Sequence, residues 1–181
     1  MNLGAIKSPR DFRDIQLVQV QAPVIFPDEY LPDISEMPKL WQNGFGLCSS
    51  HSGAHFKQLQ EFLDIKTWQK LSPRYLWIRT KQIDGVPLEI GSYLRAIFKT
   101  LQNYGVCDYD LLPNNFLEDP TVSLQEYSDF SLITSEIDDN AQPRVIKNYA
   151  FLNDLSFEGI KRAIYQNKAV LLRIMVDKSF F

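Results

Sequence analysis

"QNGFGLCSSHSG", Gln42 to Gly53, sets a cysteine between a glycine-bearing turn and a run with helical spacing. From there His55, Leu59 and Phe62 recur at helical intervals, with Ala54 and Phe56 nearby and polar residues mostly between them. That pattern predicts an amphipathic helix from about Cys48 to Leu63. A thiol attacks only as the thiolate, and a helix N-terminus stabilises that anion through its unpaired N–H groups and dipole. Cys48 stands where such a helix begins. Gly44 and Gly46 are expected to let the backbone turn tightly and bring N–H groups beside the thiol, and Gln42 offers a side-chain amide to a developing oxyanion. The plainer alternative stays open: a lone cysteine near a helix start is ordinarily a small buried hydrophobe.

Outward from this stretch, "KLSPRYLWIRTKQIDG" opens with Ser72 and Pro73, a hydroxyl cap and a first-turn proline, and closes near Gly85. In "EIGSYLRAIFKTLQNYG" Ser92 can cap, Leu94, Ile97, Phe98 and Leu101 form a stripe, and Gly105 suits a left-handed stop. Three helices therefore follow one another. Ahead of them, Pro9, Pro23, Pro27, Pro32 and Pro38 interrupt short apolar pieces such as "IQLVQV" and "APVIF", so residues 1–40 read as an extended arm with at most one short strand. Beyond Pro113, "NNFLEDPTVSLQEYSDFSLITSEIDDNAQP" is polar and broken. "RVIKNYAFL" then reads as a strand, "SFEGIKRAIYQN" as a short capped helix and "AVLLRIMV" as a buried strand, with two exposed phenylalanines closing the chain. Helices first and strands after them give an α+β fold of two lobes.

The 181 residues, 45% hydrophobic with a net charge of −3, suit one globular unit and give no electrostatic reason to bind nucleic acid or anionic lipid. "MNLGAIKSPRDFRD" is too charged for a secretory signal, and no apolar run approaches a membrane span. A cytoplasmic setting, or association with a phage or virion, is expected. Cys48 and Cys107 are too few for a disulfide scaffold and lack zinc-site spacing; Cys107, just past a helix end, reads as a structural thiol. Asp138 and Asp139 read as a solvated loop rather than a metal site, so neither metal nor other cofactor is implied.

"QNGFGLCSS" resembles the active-site segment of papain-like cysteine peptidases, where a glutamine stands six residues and a glycine two residues before the nucleophile; Gln42, Gly46 and Cys48 match. The resemblance runs on. "GAIKSPRDFRD" and "LPDISEMPKLWQNG" are similar to the opening of the family's bacterial and phage branch, and "LSPRYLWIRTKQIDG" and "GSYLRAIFKTLQNYGVC" to its next two helices. It implies a papain-like two-lobe cysteine proteinase fold, with the helical lobe complete over residues 41–115 and the β lobe begun over 116–181 but incomplete. It also implies a nucleophilic Cys48, an oxyanion donor in Gln42, and Gly46, Gly91 and Ser92 along a cleft in which the Gly91 backbone pairs with an extended peptide or protein substrate. Two places depart: Ser49 stands where the family often has tryptophan, and Phe45 where secreted members have a disulfide cysteine.

The family's base is a histidine far beyond the cysteine, oriented by an asparagine, yet this chain has only His51 and His55. His51 lies one turn along the same helix, where it cannot easily face both the thiol and the leaving amine, and His55 is two turns away. "KAVLLRIMVDKSFF" resembles the strand that precedes the family's histidine segment. The expectation is therefore a shortened chain, a split gene whose second polypeptide completes the β lobe, or a degenerate pseudoenzyme, with little turnover from the chain alone. A non-catalytic papain-fold module that grips peptides, in a virion for example, is the competing reading. The arm is short for the inhibitory propeptides of secreted relatives, so none is expected.

Overall fold

The computed structural model describes residues 5–12, 14–17, 25–30, 33–114, 121–153 and 155–174. At its centre α1 (Cys48–Ile65), α2 (Pro73–Lys81) and α3 (Leu94–Asn103) pack each against the other two. Leu71, Leu76, Trp77, Ile78, Ile97 and Leu101 fill the space between them. α2 begins as expected, with the Ser72 hydroxyl accepting from the Tyr75 N–H and Pro73 in the first turn. It ends at Lys81, and the turn beyond it reaches Gly85 at φ 65°.

α1 differs from expectation in the face it buries. Ser50, His51, Ala54, Lys57 and Gln58 are buried, whereas His55, Leu59 and Phe62 are only half-buried. The cause is Gly53: a Cβ there would meet the Ile97 Cγ2 at 2.5 Å, so α1 approaches α3 on its small-residue side and its larger side chains fall to the flanks. Gln58, a polar member of the buried face, is satisfied from outside the helix. Gln58 donates to the Pro38 carbonyl at 3.1 Å and accepts the Leu71 N–H at 3.0 Å.

α2 is buried from Pro73 to Thr80, so it must be covered on every side. Part of the cover comes from α4 (Leu124–Tyr127) and α5 (Ser135–Ala141), in the stretch read as broken polar chain. α4 opens on a reciprocal capping box between Ser123 and Glu126, and α5 on Thr134, whose hydroxyl accepts from the Ile137 N–H. Arg74 reaches the Tyr127 and Glu126 carbonyls at 3.0 and 2.8 Å. Asp138 does not sit in a solvated loop: on α5 it accepts the Tyr75 hydroxyl at 2.7 Å and pairs with Arg79.

Ser92 does not cap α3. It belongs to β3 (Ser92–Tyr93), and Tyr93 takes the cap position without a side-chain bond. Gly105 ends the helix region at φ 73°, where a Cβ would lie 2.1 Å from the Ala141 carbonyl oxygen. The N-terminal arm carries two short strands rather than at most one. β1 (Ala5–Ile6) runs parallel to β3, with Ala5 opposite Ser92, and β2 (Gln16–Leu17) runs parallel to β4 (Phe151–Leu152). Arg95 of α3 pins the arm between them, pairing with Asp14 and reaching the Pro9 carbonyl.

The strand expected over "RVIKNYAFL" shrinks to β4. α6 (Phe157–Asn167) follows with Ser156 as its cap, as expected. The strand expected over "AVLLRIMV" does not form in residues 169–174, where Leu172 and Ile174 are exposed: a strand exists through its ladder, and none of the described strands pairs with this segment. Residues 175–181, including Phe180 and Phe181, and the lobe boundary expected at 115–116 lie outside the described residues. No helix among the described residues is long and apolar enough to cross a membrane.

Candidate active site

Cys48 is the first residue of α1, and Leu47 before it caps the helix without a side-chain bond. Burial pushes the Cys48 thiol up from its ordinary value, and the backbone N–H groups of Ala5, Ser49 and Cys48 itself pull the other way without cancelling it. Burial thus opposes the thiolate that the helix mouth favours. A thiol so placed needs a base before it can attack.

The loop before Cys48 turns by other means than its glycines. Asn43 takes the left-handed conformation at φ 55°, while Gly44 and Gly46 are not among the residues of positive φ, and a Cβ on Gly44 would meet open space. Asparagine tolerates this conformation better than most side chains. Gln42 lies over its own loop, its amide donating to the Phe45 carbonyl at 3.4 Å. Gln42, Gly46 and Cys48 thus belong to one short loop feeding α1.

Gly91 has φ 96° and ψ −149°, a conformation suited to glycine, and its carbonyl accepts the Lys81 ammonium at 2.7 Å. Ser92 beside it is buried, and its hydroxyl donates to Asp84 at 2.6 Å. The ladder that starts there is occupied by β1, and Ala5 of β1 is the residue whose N–H faces the Cys48 thiol. The strand β1 of the arm therefore touches both the nucleophile candidate and the strand next to Gly91. Arg173 steadies it, donating to the Ala5 carbonyl at 3.1 Å.

His51 is 4% exposed, and its ring is enclosed by backbone and amide groups. Nδ1 lies 3.0 Å from the Leu47 carbonyl oxygen; Nε2 lies 3.0 Å from the Asn114 amide nitrogen and 3.2 Å from the Trp41 carbonyl oxygen. Asn114 in turn donates to the Trp41 carbonyl at 2.8 Å and accepts the Tyr127 hydroxyl at 2.8 Å. With the amide nitrogen of Asn114 turned toward the ring, Nε2 must be the acceptor, so the proton sits on Nδ1 and is given to Leu47. Burial lowers the His51 pKa to about 4, the Leu47 and Trp41 carbonyls opposing it. His51 is a bound, neutral imidazole, not a base at work on Cys48. His55 is half-buried against the Pro38 carbonyl and is likewise lowered by burial. Cys107 is buried, its thiol pushed up to about 12 by desolvation, and takes no part in the site.

Asn114 and Tyr127 had no signal in the sequence. Asn114 stands 63 residues from His51 and Tyr127 a further 13 along, and only the fold of the α4 region onto α2 brings them together.

No family model and no curated protein matches the sequence. Among solved structures the chain is similar to xylellain, a cysteine protease from Xylella fastidiosa, with a TM-score of 0.68 and 19% identity over 90% of this chain. The chain spans 62% of that protein's length. The shared fold is α+β, of the papain-like cysteine protease type.

Proposed function

We propose that the chain carries the nucleophile half of a papain-like cysteine peptidase. Cys48 attacks a peptide carbonyl to give an acyl-enzyme, with the Cys48 N–H and the Gln42 amide taking up the oxyanion. The observation that carries the reading is the placement of Cys48 at the first position of the central helix, behind a loop bearing Gln42, in a fold shared with a cysteine protease. Gly46 and Gly91 border the cleft, and Ser92 supports it through Asp84 rather than touching substrate. The base is supplied by further chain or by a second polypeptide that completes the β lobe, because His51 is bound up within the helical region and His55 lies two turns along α1 from Cys48.

Chemical rescue tests this. With free imidazole standing in for the base, a peptidyl p-nitrophenyl ester should acylate the chain once per molecule, at a rate rising with imidazole. Cys48→Ala should abolish the reaction and Gln42→Ala should slow it at least tenfold. Release of p-nitrophenol at the same rate from Cys48→Ala refutes the proposal. The raised thiol favours a second reading, a papain-fold module that binds peptides or a virion component without cutting. It predicts saturable peptide binding with no acylation under these conditions.

A further inference from the structure

His51 has no place in the chemistry proposed above, yet it is among the most completely bonded side chains near the site. The two carbonyls its ring faces are not arbitrary. Leu47 C=O belongs to the peptide whose N–H is that of Cys48, and Trp41 C=O to the peptide that leads into Gln42. In a trans peptide the carbonyl and the following N–H are coplanar and point in opposite directions, so fixing the one aims the other. Leu47 C=O is fixed three times over: by the His51 N–H at 3.1 Å, the Ser50 hydroxyl at 3.0 Å and the His51 ring at 3.0 Å. Trp41 C=O is fixed by Asn114, which also seats the far side of the ring. Tyr127, wholly buried, sets the amide of Asn114 the right way round.

We propose that His51, seated by Asn114 and Tyr127, is a positioning residue: it ties together the two ends of the loop 41–47 and so sets the separation of the two oxyanion donors, Gln42 and the Cys48 N–H. The inference rests on the reading of Cys48 as nucleophile and adds to it a device within the helical region alone. Only the neutral, Nδ1-protonated ring performs it. A second proton on Nε2 would face the Asn114 N–H and compete with it for the Trp41 carbonyl, 3.2 Å from the ring, and the opposite tautomer would set bare Nδ1 against the Leu47 carbonyl. Asn114, Tyr127 and the neighbouring His55 are the polar or titratable side chains that the ring meets or feels.

The test separates this from an ordinary core role. Iodoacetamide alkylation of Cys48 makes no use of an oxyanion hole, whereas imidazole-assisted acylation by the peptidyl ester does. Asn114→Leu should leave alkylation within about threefold of wild type and slow acylation about tenfold to a hundredfold, the scale of a misplaced donor. Tyr127→Phe, which keeps Asn114 in place, should show the same split more weakly. Nitrogen-15 spectra of the unaltered chain at pH 6 should show His51 protonated at Nδ1 and bare at Nε2. Equal loss of alkylation and acylation, loss of neither, or an Nε2-protonated ring overturns the inference and leaves the nucleophile reading intact. Absence of Cys48-dependent acylation in the wild type sinks that reading, and this inference with it.

Discussion

Acid should unfold this protein through His51 before it touches most of the carboxylates. In the folded chain the ring resists protonation until about pH 4, whereas an unfolded histidine takes its proton near 6.5. Between those values the unfolded state binds the extra proton. The stability tied to the neutral ring is therefore fully present above about pH 7 and drains away as pH falls toward 4. At about 1.4 kcal/mol per pH unit the gap is worth about 3 kcal/mol, of which about 2.5 is lost by pH 4.5. The burial of the ring, 4% exposed, leaves little solvent screening to reduce it. Urea unfolding of wild type and His51→Gln at pH 7.5, 6.0 and 4.5 isolates the effect, since His55 and the carboxylates titrate alike in both. Wild type should be the more stable at pH 7.5, and the difference should shrink by about 2.5 kcal/mol at pH 4.5. Parallel stability curves for the two proteins would refute the account of His51 as a buried neutral donor.

Gly53→Ala should cost about 1–3 kcal/mol in the same urea assay, because its Cβ would lie 2.5 Å from Ile97 Cγ2 and force α1 off α3. An unchanged midpoint would show that Ile97 simply turns aside. The Cys48 thiol should show an apparent pKa above the free value of about 8.5 in an iodoacetamide pH–rate profile, since burial outweighs the three N–H groups around it. A value below 7 would mean that the helix terminus prevails. Arg95→Met removes the tie to Asp14 and Pro9 that holds the arm. If arm opening gains as little as about 1.4 kcal/mol, Cys48 alkylation should rise about tenfold, whereas an arm that does not shield the thiol leaves the rate unchanged.

What the sequence discloses of the fold is what local physics decides. Ser72 with Pro73, Ser156 before Phe157 and the left-handed Gly105 each act within a few residues, and each marks its element where it stands. Periodicity served less well in α1. The expected stripe of His55, Leu59 and Phe62 flanks the buried face, because a glycine and small side chains admit α3 more closely than large apolar ones can. α4 and α5 are hidden by their polarity although their caps are present: Ser123 with Glu126 meets the capping-box pattern, but no apolar run follows it to mark a helix. Their burying surface is supplied by α2 itself, chiefly Arg74, Tyr75 and Arg79, and no window along the chain contains both sides of that contact.

The site divides in the same way. Gln42, Gly46 and Cys48 are legible as a spacing before an expected helix, and that helix does begin at Cys48. Their state is not legible. A helix N-terminus alone argues for a thiolate, but burial of the thiol in the folded chain outweighs the N–H groups around it, one of them from Ala5 of a distant arm. His51 reverses the lesson. By spacing it is a poor base for Cys48; its ring is instead bonded to the Leu47 carbonyl, and the Asn114 amide that seats its far side holds the Trp41 carbonyl. A residue's failure to fit the reaction was readable from the helix geometry, while its service to the loop depends on Asn114 and Tyr127, which only the folded chain brings to it.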